Sequence, residues 1–169
     1  QNSRDRILSK TVSAQSKATV PDSLGSLTIK KRMTIWRVLE NIYGENGPEI
    51  QKVFIAANPQ IKDINDIYEG EVIHLPAIPA NARPLKKEMV IVAVENGRDI
   101  TNLYHSLLNH VSQENRFPLL FLSYWSKRQG RQFAIVLDKR FTTVQEAGAA
   151  IHRLPPAQAV SARILSQWD

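Results

Sequence analysis

Gly44 and Pro48 stand four positions apart between two apolar stripes of helical spacing, and this break limits what the surrounding chain can form. Ahead of it, Ile35, Val38, Leu39 and Ile42 fall on one helix face, and Thr34 occupies the place of an N-cap. Gly44 stops that helix, because glycine turns left-handed without a steric cost. Pro48 suits the first turn of a second helix, where its missing N–H is no loss. Ile50, Val53, Phe54 and Ala57 give the second helix its stripe, and Asn58-Pro59 ends it. The alternation of Leu27 and Ile29 comes before the pair. After it, Gly70 turns the chain into Glu71–Leu75, closed by Pro76. The stretch from Leu27 to Pro76 therefore reads as strand, helix, helix, strand in one small closed unit.

Within it, Thr34-Ile35-Trp36, Asn58-Pro59-Gln60-Ile61, Ile67-Tyr68-Glu69-Gly70 and Ile73-His74-Leu75-Pro76 follow a familiar order and spacing. On these residues the stretch resembles the LysM domain, a βααβ module that binds N-acetylglucosamine-containing glycans. The resemblance implies a groove between one loop carrying Arg32, Met33, Thr34 and Ile35 and another carrying Asn58, Pro59, Gln60 and Ile61. The family usually has Gly-Asp where this chain has Arg32-Met33. One wall of the groove thus has altered chemistry: Met33 for the floor, and Arg32 for muramyl or peptide-stem carboxylates. Ile35 and Trp36, both in the first helical turn, read as core.

The pattern changes beyond Pro76–Pro84, which carries three prolines and favours extended backbone. Met89–Val94 is a continuous apolar run, the mark of a strand covered on both faces. Asn96-Gly97 offers a turn, and Asp99 can cap a helix bearing Ile100, Leu103, Tyr104, Leu107 and Val111. Leu119–Trp125 and Phe133–Leu137 read as a hairpin around a basic turn. Thr143 and Glu146 form a capping box for a helix that stops before Pro155-Pro156. Arg163–Trp168 closes as a fourth strand. This order is β-α-β-β-α-β, the split βαβ plan: a four-stranded antiparallel sheet with both helices on one face. The fold class expected for the whole chain is α+β.

From Phe133 through Phe141, Glu146-Ala147 and Leu154-Pro155, this half resembles the SPOR domain, a peptidoglycan-binding module of bacterial envelope proteins. The resemblance spans Glu88 to Trp168 and implies a ligand on the sheet face away from the helices. If Val90, Val92 and Val94 pack under the helices, Met89, Ile91 and Ala93 face the ligand. The family's aromatic at the start of the third strand maps to Phe133, with Ile135 and Leu137 beside it. The glutamine that the family often has on the first strand is replaced by Ala93. The sheet site is thus expected at Ile91, Ala93, Phe133 and Ile135. So apolar a face marks protein interfaces more often than sugar sites.

Charge and composition narrow the classes further. The chain has 22 Lys and Arg against 16 Asp and Glu over 169 residues. The excess lies in residues 81–169, with twelve basic against seven acidic side chains, and suits an acidic polymer. There is no cysteine, so disulfides and thiolate chemistry are excluded. His105 and His110 are five apart and make a poor metal pair. No phosphate loop, serine elbow or HExxH motif is present. The split βαβ plan is shared with RNA-recognition modules, but no RNP motif lies in the strands.

The resulting expectation is a non-catalytic peptidoglycan-binding segment, without cofactor, metal or nucleic-acid partner. Its organisation reads as a flexible linker (1–25), a LysM-like domain (26–77), a Pro-rich connector (78–86) and a SPOR-like domain (87–169). The resemblance places it in the periplasm or cell envelope, tethered to the inner membrane by a segment upstream of Gln1. The alternative is a protein-interaction or self-association module of an envelope assembly machine, such as a secretion or pilus system.

Overall fold

The computed structural model describes residues 22–78, 86–112 and 117–166. The chain is α+β, with a two-stranded antiparallel sheet, a four-stranded antiparallel sheet and helices between their strands. Residues 1–21 of the expected linker and 79–85 of the expected connector lie outside the described residues.

The first part runs β1 (Ser23–Thr28), α1 (Ile35–Tyr43), α2 (Pro48–Ala57) and β2 (Val72–Pro76). The Thr34 hydroxyl accepts the Arg37 N–H at 3.3 Å and starts α1. Gly44 ends it at φ 78°, its N–H donating to Glu40 O. The α1 stripe is buried together with Leu27, Phe54, Ile73 and Leu75. β1 begins earlier than the alternation of Leu27 and Ile29 suggests, so Ser23–Gly25 is strand and not linker. Its pairing with β2 reaches Pro76 through an irregularity between Ser23 and Gly25. Gly25 sits there at φ 130°, and a Cβ on it would lie 3.2 Å from the Ile100 side chain.

The second part runs β3 (Val90–Gly97), α3 (Ile100–Val111), β4 (Leu119–Ser126), β5 (Gly130–Phe141), α4 (Val144–Ile151), α5 (Pro156–Ala159) and β6 (Arg163–Leu165). The sheet order is β4-β5-β3-β6, antiparallel throughout. Asp99 caps α3 and Thr143 caps α4. Glu146 reaches one residue further back than a capping box requires, its carboxylate accepting the Thr142 N–H and hydroxyl. Asn96 and Gly97 do not turn; they extend β3 opposite Ala134 and Phe133.

Val90, Val92 and Val94 pack in one core with Leu103, Leu107 and Ala147 of the helices, as the alternation predicts. Ile91 and Ala93 take the opposite face. Phe133 and Ile135 do not join them. Both are fully buried in the helix-side core, where the Phe133 ring lies 5.8 Å from that of Phe121. The β5 residues on the other face are Ala134 and Val136. Phe133–Leu137 is apolar at every position, so no alternation in the sequence shows which set faces the helices. Two register irregularities between β3 and β5 then prevent the phase of one strand from fixing the other.

The two sheets share one apolar core, and polar contacts bridge them. The Thr101 hydroxyl donates to Ser26 O at 2.7 Å, and His105 Nε2 donates to Thr28 O at 3.1 Å. Arg131 donates to Ser23 O at 2.7 Å, and Asn41 donates to the Tyr104 hydroxyl at 3.0 Å.

Candidate binding surfaces

Two loops flank the start of β2. The first follows Ile29, whose N–H donates to Glu71 O while its carbonyl accepts from the Gly70 N–H, both at 2.8 Å. These bonds pin the Tyr68–Glu71 turn against the loop's root. The loop then folds tightly: Met33 N–H donates to Lys30 O, and Arg32 takes φ 68°, the left-handed region that few non-glycine residues enter. Met33 is buried with its sulfur accepting the Lys30 N–H, and Ile35 is wholly in the core. Arg32 and Thr34 remain at the surface, and the Thr34 hydroxyl is engaged as the helix cap.

The second loop hangs on Asn58, which is 0% exposed. Its amide donates to Phe54 O and to His74 O, each at 2.8 Å. Its carbonyl oxygen accepts the His74 N–H at 2.7 Å. Asn58 thus completes both hydrogen bonds of an edge residue of β2, as a neighbouring strand would. This turns it inward, away from the expected groove. Pro59 and Gln60 are exposed, with the Gln60 amide donating to Asn58 Oδ1 at 3.3 Å. Ile61 is buried. Of the eight residues expected to line this groove, Arg32, Thr34, Pro59 and Gln60 present side chains outward, while Met33, Ile35, Asn58 and Ile61 hold the loops from beneath.

Two aromatics outside the eight expected groove residues are exposed. Trp36, expected in the core, is 58% exposed, and Tyr68 is 68% exposed. Helix geometry held the signal for Trp36: at 100° per residue it falls on the flank of the Ile35-Val38-Leu39-Ile42 stripe. Tyr68 lies in the turn pinned to Ile29. The Asp66 carboxylate, hydrogen-bonded to its hydroxyl, holds its phenol above the usual range.

On the four-stranded sheet, the face away from the helices holds a depression of about 90 Å³. Met89, Ile91, Leu120, Leu122 and Val136 line it, with Asp138, Lys139 and Arg140 at one end. Along the same face Tyr124 stands opposite Gln132, an aromatic beside an amide. Burial raises the Tyr124 phenol above its ordinary value. The Gln132 amide donates to Gln129 O at 3.1 Å.

Compared with family models, with characterised proteins and with solved structures, the chain matches none.

One polar cluster lies beneath α3. Glu95 Oε2 accepts the Ser106 hydroxyl at 2.5 Å and His110 Nε2 at 3.2 Å. The serine proton is therefore held by a carboxylate and not by the imidazole, so the three form no nucleophile–base pair. Among the described residues no group of three or more His, Cys, Asp or Glu could hold a metal ion. No helix among them is long and apolar enough to cross a membrane.

Proposed function

We propose that this chain is a non-catalytic peptidoglycan-binding segment of a bacterial envelope protein. In this reading the first part is a LysM-like βααβ unit and the second a SPOR-like split βαβ unit. The reading places the chain at the cell wall, with GlcNAc-containing glycan as the partner. One observation carries it: Trp36 and Tyr68 stand in solvent beside two loops whose other large apolar side chains are buried. Flat, amphipathic rings suit the C–H faces of a sugar while their polar ends stay wet. The loops beside them offer backbone groups and the Gln60 amide. Binding to purified sacculi and titration with GlcNAc oligomers test the reading. Trp36→Ala is expected to weaken both by about tenfold. Arg32→Gly with Met33→Asp restores the family's usual pair and is expected to raise oligomer affinity. A chain that stays wholly in the supernatant over sacculi at low salt refutes the proposal.

The apolar sheet face favours a second reading: a protein-docking module of an envelope assembly machine. The two readings use different surfaces, so one molecule can serve both.

A further inference from the structure

An antiparallel sheet with one free face ordinarily alternates, apolar inward and polar outward. The four-stranded sheet departs from this. Ile91, Ala93, Ala134 and Val136 form a second buried apolar cluster with Met89, Leu120, Leu122, Tyr124 and Leu165 around it. No helix side chain takes part in that cluster. Relief matters as well as composition. The central strands β3 and β5 place the small Ala93 and Ala134 at the middle of this face, covered by the larger apolar side chains around them, which supply its accessible surface. Leu120 and Leu122 on β4 lie along one side and Leu165 on β6 along the other, with the larger Ile91 also on β3. A trough of this form completes a third layer when a helix lies in it.

Charge selects the helix. Arg140 is paired across the ladder with Ile91, and Arg163 with Ala93, so strand alternation sets both on this face. Both are exposed, and neither forms an ion pair among the described residues. Asp138 is the one carboxylate lining the depression, beside Lys139 and Arg140. A second copy of the chain would bring two such arginine pairs onto one apolar contact, like charge against like. The chain's own residues 1–21 carry four Lys and Arg against one Asp and have the same sign.

We propose that this face docks an acidic amphipathic helix of a partner protein, its apolar stripe in the trough and its carboxylates at Arg140 and Arg163. This rests on the protein-docking reading above. The test uses the full chain and a fluorescein-labelled designed peptide, with leucine at i, i+3, i+4 and i+7 and glutamate on both flanks. Twin peptides carry glutamine or lysine on the flanks. Saturable anisotropy is expected for the glutamate peptide, with backbone amide shifts at Ile91, Ala93 and Ala134. Glutamine flanks should weaken it about tenfold, as should Arg140→Glu with Arg163→Glu, and added salt should weaken it further. Melting curves check that the double variant is folded, and Arg140→Gln gives a milder version of the same comparison. Equal binding of the glutamate and lysine peptides overturns the acidic assignment alone. Absence of saturable binding by any of the three overturns the docking reading with it. Self-association through this face, or binding of phosphatidylglycerol vesicles in place of the peptide, also overturns the proposal. Sacculus binding by the same double variant is read separately, since the loops that carry the glycan proposal are untouched.

Discussion

Asn58→Ala removes a side chain that works as a short piece of strand. Three bonds of 2.7–2.8 Å disappear, to Phe54 O, His74 O and the His74 N–H. The alanine brings nothing to replace them, and the site has no access to water at 0% exposure. A typical hydrogen bond contributes about 1 kcal/mol net, and a partner left buried without one costs somewhat more. The three together put the loss at about 3–4 kcal/mol. For a chain of this size that lowers the melting temperature by about 10 °C. Urea unfolding of the full chain, followed by circular dichroism, measures it directly, with the denaturant slope expected to stay constant. Asn58→Asp sharpens the comparison. It keeps an acceptor for the His74 N–H but turns a carboxylate oxygen toward two carbonyls. It should therefore be at least as damaging at neutral pH and recover in part on acidification, when protonation restores a donor. A loss below about 1 kcal/mol for the alanine variant would refute the argument that this side chain closes the edge of β2.

Arg32→Gly alone should stabilise the chain by about 0.5–1 kcal/mol, because relief at φ 68° exceeds the entropy that glycine adds to the unfolded state. A thermal melt unchanged or lowered would count against strain in that loop. The His105 imidazole is held below its ordinary value of 6.5, chiefly by burial, with its bond to Thr28 O acting the other way. The folded chain thus favours the neutral ring. Its contribution is complete above the ordinary value and is lost as pH falls through it toward the lower folded one. His105→Gln should therefore flatten the dependence of melting temperature on pH between about 7.5 and 5.5. A variant whose melting temperature tracks the parent's across that range would exclude His105 as the source.

The helical part of the architecture was legible because its signals are local. Thr34, Gly44, Pro48, Asp99 and Thr143 each act within one turn of the backbone, and each stands where the spacing of apolar residues asks for it. The candidate surfaces were less legible because they depend on phase and on distant partners. Phe133–Leu137 has no polar residue to mark its outer side, so its facing was settled by packing against Phe121 and Tyr104, which no neighbour in sequence announces. Asn58 looked like a loop residue after a helix. Its inward turn depends on His74, 16 positions away. Trp36 was the opposite case, an exposed side chain whose place on the helix flank was available from its spacing alone.

The contacts from α3 to β1 have a further consequence. A two-stranded sheet has nothing but edges. Asn58 occupies one of them, and Thr101 and His105 occupy the other through Ser26 O and Thr28 O. The match is geometric: four residues along a helix advance about 6 Å, close to the advance of about 6.6 Å for two residues of strand. Without α3, the carbonyls of β1 would face outward as a template for any extended chain nearby. The second half of the molecule therefore covers the open edge of the first. Cutting the chain between β2 and β3 would take α3 from that edge and leave Ser26 O and Thr28 O uncovered.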